Sequence, residues 1–354
     1  MAWQGIEGHD AVVERFIAAA AQDRVAGSYL FIGPPGVGKS GFAHKLAKAL
    51  VCHARRDGLV PCDACASCVQ AEAGSHPDID VVAKPEDKST IPLELLIGDD
   101  DHRMRDGLCW RIKLRPALGA RKAAIILDAD ALSEEAANCL LKTLEEPPDG
   151  AIMILVGTAL ERQLPTIRSR CQIVRFKPLD ADVVRRILER ELAASGTSVA
   201  SALIDAAARA AGGSLARGRL LLDPTLATFR DKLVTSLGRR PLRGVELARE
   251  TIELVEAAGK EAPPRRARLK VVLEAAIDFY RAALRFAACG EPPAEPGLAR
   301  AVANWAAQGD AAEEATTLLR HTLDALEAVD RNANLTILVD AWTAVLEEPR
   351  IAAV

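Results

Sequence analysis

The octapeptide Gly33-Pro34-Pro35-Gly36-Val37-Gly38-Lys39-Ser40 fits the pattern G-x-x-x-x-G-K-[ST] and constrains the chain more than any other segment. The apolar run Tyr29-Leu30-Phe31-Ile32 precedes it and a helical pattern from Phe42 to Val51 follows, so the expected local structure is strand, loop, helix. A chance glycine-rich turn would lack both flanks. Glycines let such a loop curl until its backbone N–H groups converge on phosphate oxygens. Lys39 would then reach the β- and γ-phosphates and Ser40 the Mg²⁺ ion. The expected cofactor is ATP or ADP with Mg²⁺. A phosphate loop also needs a second strand ending in an acid, and Ala123–Leu127 followed by Asp128 supplies it. Hydrolysing enzymes of this kind usually place a Glu next, to polarise water. Here the next residue is Ala129, and Asp130 would point elsewhere in an extended strand, as a loop residue or a helix N-terminal charge. The reading is nucleotide binding with weak or absent hydrolysis.

Strands and helices alternate over the first half. Ile79–Val82, Ala123–Leu127, Ile152–Val156 and Ile173–Phe176 join Tyr29–Ile32 as short apolar runs bounded by Gly, Pro or charge. Between them, Ser133 is a good N-cap, Glu134 and Glu135 occupy a first turn, and Ala137, Leu140, Leu141 and Leu144 fall on one face before Pro147-Pro148. The pattern predicts an α/β domain with a mostly parallel sheet covered on both sides. Beyond Pro178 strand signals vanish. Residues 180–222 read as helices broken at Ser195-Gly196 and Gly212-Gly213, and from about 226 the chain is helical, with loops at Gly238, Ala262-Pro263-Pro264 and Gly290–Pro293. The expected division is a phosphate-loop domain over 1–178, a small helical lid over 179–223, and an all-α domain over 226–354.

Bulk properties narrow the function. With 45 Lys+Arg against 49 Asp+Glu in 354 residues, the formal charge is −4, which excludes coating DNA by bulk charge but not a local contact. No apolar run approaches ~18 residues, so no membrane span is expected. Met1–Gly5 lacks the basic and apolar regions of a secretory signal, so a cytoplasmic location is expected. In that setting the eight cysteines read as thiols or metal ligands. Cys52, Cys62, Cys65 and Cys68, spaced Cys-x9-Cys-x2-Cys-x2-Cys, suit one tetrahedral structural Zn²⁺ in a module over 52–68, with free thiols or an iron–sulfur cluster as alternatives. His53 and His76 flank the set and read as surface or turn residues. Cys109, Cys139, Cys171 and Cys289 read as small buried apolar residues.

These motifs occur with the segment Leu140–Pro148 (LLKTLEEPP) and the triplet Ser169-Arg170-Cys171. In combination they resemble the subunits of bacterial DNA polymerase III clamp loaders, which are AAA+ proteins. The resemblance covers about 1–222, and Arg331-Asn332-Ala333-Asn334 with the helix 335–346 resembles the family's collar domain. It implies that Arg170, ahead of Arg168, acts in trans on the γ-phosphate of ATP held by a neighbour. It also implies a sensor role for Thr158 and, in the lid, for Arg217. The absence of the Asp-Glu pair after the acid strand, and a chain that stops after one helical domain, favour a stator-type member over the ATP-hydrolysing motor type (gamma/tau). A scaffold without nucleotide function is the other alternative. Implied partners are the other clamp-loader subunits (gamma/tau and delta) in a hetero-oligomer, a sliding clamp, and primed DNA held sequence-independently by phosphate contacts. Arg121 and Lys122, or Arg265, Arg266, Arg268 and Lys270, are candidate positive patches. The insertion at 84–110, with Asp99-Asp100-Asp101, matches no part of the pattern and reads as a solvated loop.

Overall fold

Five parallel strands form the centre of the first half of the protein: β1 (Ser28–Ile32), β2 (Ile79–Val82), β3 (Lys122–Ile126), β4 (Ala151–Gly157) and β5 (Gln172–Arg175). The computed structural model describes residues 3–57, 59–85, 88–99, 101–102, 105–119, 121–239, 241–293, 295–307 and 311–347. The strand order is β2-β3-β4-β1-β5, so β1 lies between β4 and β5. Ser28 pairs with Met153 and Ile32 with Gly157 on one side, while Tyr29 pairs with Gln172 and Ile32 with Arg175 on the other. Each strand matches an apolar run to within a residue or two.

Because side chains alternate across a strand, the two faces of the sheet feed two separate cores. Tyr29, Phe31, Ala123, Ile125, Ile152, Ile154 and Val174 pack with Phe16, Phe42 and Leu46 of the helices Asp10–Ala21 and Lys39–Val51. Leu30, Ile32, Ala124, Ile126, Met153 and Leu155 pack on the opposite side with Ala137, Leu140 and Leu144 of the helix Glu134–Glu145. That helix starts as expected: the Ser133 hydroxyl accepts the Ala136 N–H at 3.1 Å.

The segment 84–110 corrects the expectation of a solvated loop. It contributes the short helices Glu94–Ile97 and Leu108–Arg111, and Ile91, Leu96, Ile97, Leu108 and Cys109 are buried in the second of these cores. The helix Glu134–Glu145 alone does not cover that face, and the insertion completes it. Asp99 and Asp101 are exposed, and Asp100 lies outside the described residues. Asp78, fully buried, accepts the N–H groups of Ala117, Leu118 and Gly119 at 2.7, 2.8 and 2.8 Å and so ties the chain beyond the insertion to the start of β2. Burial alone would raise its carboxyl, but those three donors hold it below the ordinary value.

Two compact units divide the chain. The first holds residues 1–191 and 212–216, the second 192–211 and 217–354. The 179–223 stretch therefore contributes to both. In the second unit, the helix Ala262–Cys289 buries Leu269, Val272, Phe279 and Tyr280 in a core shared with Pro224–Leu237, Gly244–Glu256, Pro296–Ala306, Ala311–Asp330 and Leu335–Glu347. Ala262-Pro263-Pro264 is not a loop. The prolines occupy the first turn of that helix, where a missing N–H costs nothing. Among the described residues, no helix is long and apolar enough to cross a membrane.

If the insertion is part of the core, Leu96→Ala or Leu108→Ala destabilises the protein by about 2–5 kcal/mol in denaturant unfolding. A change within about 0.5 kcal/mol would mean that 84–110 is solvated after all.

Candidate functional site

The loop Gly33–Ser40 joins the C-terminal end of β1 to the helix Lys39–Val51. Gly38 sits at the helix N-cap with φ +98°, a left-handed geometry that glycine adopts without strain. The loop is tied to its surroundings twice. The Gly36 carbonyl accepts the Leu215 N–H at 2.8 Å, and the Val37 carbonyl lies 2.8 Å from His9 Nε2. Lys39 is buried. Its Nζ donates to the Gly33 and Pro34 carbonyls, each at 2.6 Å, so the ammonium is held inside the curl of the loop. Burial lowers its pKa to about 8, opposed by the negative charge of Asp130. Pro34, Pro35 and Ser40 are exposed along the loop.

Strand β3 ends at Ile126, so Asp128 lies beyond it. Asp128 is exposed and left-handed (φ +54°) at the entry of the short turn Ala129–Ala131. Asp130 is more deeply engaged than the sequence suggested. Its Oδ2 accepts the Thr158 N–H at 2.8 Å, its Oδ1 accepts from Gln163 Nε2, and its charge acts on Lys39. One carboxylate thus fixes the turn that follows β4, where Thr158 lies, and biases the lysine of the phosphate loop. A lone Asp three residues before Ser133 carries no sequence signal for that role.

Arg170 lies at the other end of the sheet. It precedes β5 by two residues, and β5 runs parallel to β1, which places it near the start of β1. The loop Gly33–Ser40 leaves the far end of β1, roughly 15 Å along the strand. Arg170 Nε donates to Glu145 Oε1 at 2.6 Å, and its NH1 donates to the Thr166 carbonyl at 3.0 Å and to Ser169 Oγ at 3.2 Å. Arg168 is exposed. In the second unit, Arg217 is buried and pairs with Asp278 at 2.8 Å and Glu274 at 3.6 Å, and burial raises the Glu274 carboxyl.

The four cysteines converge. All four Sγ atoms lie within 4.8 Å of one another, with Cys52–Cys65 at 4.0 Å and Cys62–Cys68 at 3.9 Å. Tetrahedral Zn–S bonds of about 2.3 Å require sulfurs about 3.8 Å apart, so the donor set fits Zn²⁺. Cys52 caps the end of the helix Lys39–Val51, while Cys65 caps and Cys68 sits on the helix Ala66–Glu72. The N–H groups of Ala64 and Cys65 bring the Cys62 thiol down to about 6, toward the thiolate a metal needs, whereas burial pushes Cys68 up to about 12. Lys48, reaching across from the same helix as Cys52, pairs with Asp63 at 2.7 Å and Glu72 at 2.6 Å and binds the module to the phosphate-loop helix.

Several residues depart from expectation. His53 is exposed; His76 opens a turn, its carbonyl accepting the Ile79 N–H at 3.1 Å, but it is buried, and its Nδ1 accepts the Asp78 N–H at 3.0 Å. Cys109 and Cys171 are buried and Cys139 partly so, yet Cys289 is exposed. The candidate positive patches are largely engaged. Lys122 is buried and donates to the Arg111 carbonyl at 2.7 Å, Arg121 pairs with Asp23 at 3.0 Å, Arg268 with Asp223 at 2.6 Å, and Lys270 with Asp330.

A parallel sheet carrying a G-x-x-x-x-G-K-[ST] loop between β1 and a helix, with its lysine turned into the curl, defines a P-loop α/β protein. Residues 8–180 match the family model described as DNA polymerase III, delta subunit. The chain is similar to the DNA polymerase III subunit gamma/tau of Mycobacterium tuberculosis (strain ATCC 25618 / H37Rv), at 32% identity over 286 residues, covering 80% of this chain and 46% of that protein. It is also similar to the DNA polymerase III subunit delta' of Bacillus subtilis (strain 168), at 34% identity over 172 residues, 48% of each chain. With the delta' subunit of Pseudomonas aeruginosa PAO1 it shares 36% identity over 146 residues, 41% of this chain and 42% of the other. The chain thus spans less than half the length of these relatives.

Metal analysis of the purified, untreated protein is expected to give about one zinc per chain, and Cys62→Ser with Cys65→Ser to remove it and destabilise the fold. A folded wild-type protein with well under one zinc per chain would overturn the assignment.

Proposed function

We propose that the chain is the delta-prime, stator-type subunit of a bacterial DNA polymerase III clamp loader, and that it lends Arg170 to an ATP site on a neighbouring subunit. The observation that carries this reading is the direction of the sheet. Arg170 stands at the end where β1 begins, and the chain's own phosphate loop leaves the opposite end. That separation exceeds the reach of an arginine side chain, so a phosphate met by Arg170 belongs to another molecule.

The chemistry follows. A planar, permanently charged guanidinium placed against a transferring phosphoryl group neutralises the charge that develops there. The neighbour supplies the triphosphate and its Mg²⁺. This chain supplies the rigid mount, since Arg170 sits between the short helix Pro165–Arg168 and β5. Its own loop, Gly33–Ser40 with Lys39, holds ATP or ADP with Mg²⁺. We assign Asp128 to that metal and Thr158 to sensing the phosphates. With Ala129 where a water-polarising Glu would stand, the chain's own turnover is weak. We assign 1–178 to an AAA+ domain with a zinc-bearing module, 179–223 to its lid, and 226–354 to the collar that joins it to gamma/tau and delta subunits. The assembly opens a sliding clamp for primed DNA in the cytoplasm.

The competing reading, a hydrolysing gamma/tau-type motor, draws on the 32% identity over 286 residues and the intact phosphate loop. The isolated chain separates the two. The stator reading expects Mg-ATP binding that Lys39→Ala abolishes, with negligible turnover, and a reconstituted assembly whose clamp-loading rate falls tenfold or more on Arg170→Ala, a low floor against the roughly 10³–10⁵ a trans arginine contributes elsewhere. Brisk turnover by the isolated chain, or normal loading by the Arg170→Ala assembly, would overturn it.

A further inference from the structure

Arg170 is engaged within its own chain. Nε donates to Glu145 Oε1, NH1 donates to both the Thr166 carbonyl and Ser169 Oγ, and NH2 is ion-paired with the same Glu145 oxygen. A guanidinium grips phosphate best through a two-donor edge, and each such edge, Nε with NH2 or NH1 with NH2, includes a nitrogen already bonded here. Phosphate contact therefore requires Arg170 to give up part of this set. Of the three partners, only Glu145 carries charge.

The backbone on either side of Glu145 is anchored, while its carboxylate is about half exposed. Glu145 is the last residue of the helix Glu134–Glu145, and that helix end is anchored to the end of the sheet where β1 begins. Ser28 Oγ, at the first residue of β1, donates to the Leu144 carbonyl at 3.0 Å in a buried bond. Two residues on, Pro147 presses against Gly27 so closely that a Cβ there would meet Pro147 Cγ at 2.5 Å. The acid and the arginine, 25 residues apart, are thus brought together at one end of the sheet.

We propose that Glu145 is a resident counter-ion that masks Arg170 until the neighbour's nucleotide phosphate displaces it. The inference rests on the trans role of Arg170 and adds its regulation. A partly exposed ion pair is weak, so a polyanionic phosphate displaces the carboxylate and the mask opens readily. Its effect is a threshold. Each docking of Arg170 on bound ATP must first break the pair, and the ATP needed to half-saturate loading rises accordingly. Once the pair is broken the guanidinium is the same, so the maximal rate is unaffected.

The test uses the reconstituted clamp loader, with loading measured against ATP concentration. Glu145→Gln keeps the side-chain shape and removes the charge. It is expected to lower the half-saturating ATP about 1.4- to 5-fold, the factor corresponding to 0.2–1 kcal/mol for an exposed pair, and to change the maximal rate less than about twofold. Glu145→Asp, which keeps the charge, returns the half-saturating ATP toward wild type. In an Arg170→Ala background, Glu145→Gln has no further effect, because the pair no longer exists. An unchanged or raised half-saturating ATP for Glu145→Gln overturns the mask, as does the same shift persisting without Arg170. The two levels fail separately. Normal loading by Arg170→Ala defeats the trans reading itself, whereas slow loading by Arg170→Ala with no shift for Glu145→Gln defeats only the mask.

Discussion

Strand β1 runs parallel to both of its neighbours, and this single pairing direction organises the site. It sends Gly33–Ser40 out of one end of the sheet and brings Ser169-Arg170-Cys171 in at the other. The separation is enforced by a buried register, since Tyr29 and Phe31 face one core while Leu30 and Ile32 face the other. A slip of one residue would invert both faces, so the distance between loop and arginine is as secure as the core. A chain built this way presents its phosphate loop and Arg170 on two separate surfaces.

The elements with a strong period were legible in the sequence. Apolar runs located all five strands, and Ser133 with Pro147-Pro148 bounded the helix between them. The phosphate loop and the four cysteines were legible because their chemistry depends on local spacing. Other features depend on partners distant in the chain. The burial of Leu96 and Leu108 was hidden because each sits in a four-residue helix, too short to show a period, beside the acidic run at Asp99. Ala262-Pro263-Pro264 read as a break because proline marks both loops and helix starts. The engagement of Asp130 with Thr158 and Gln163, and of Glu145 with Arg170, joins residues 25 or more positions apart, and no motif announces them.

The cysteine module shows how an added element can be fused to a phosphate-loop domain without disturbing it. Cys52 ends the very helix that Lys39 begins, so loop and module share one rigid rod. Lys48 on that rod closes the module with Asp63 and Glu72, and its burial among carboxylates leaves no uncompensated charge. Order in the module is thereby coupled to order in the helix that presents the loop.

The central claim is that Arg170 serves a nucleotide it does not hold. The most direct measurement is a structure of the assembled complex with a non-hydrolysable ATP analogue at the adjoining site. The account predicts the Arg170 guanidinium within hydrogen-bond distance of that analogue's γ-phosphate, about 3 Å, and turned away from Glu145. An Arg170 still closed on Glu145 and remote from every neighbouring triphosphate would contradict it.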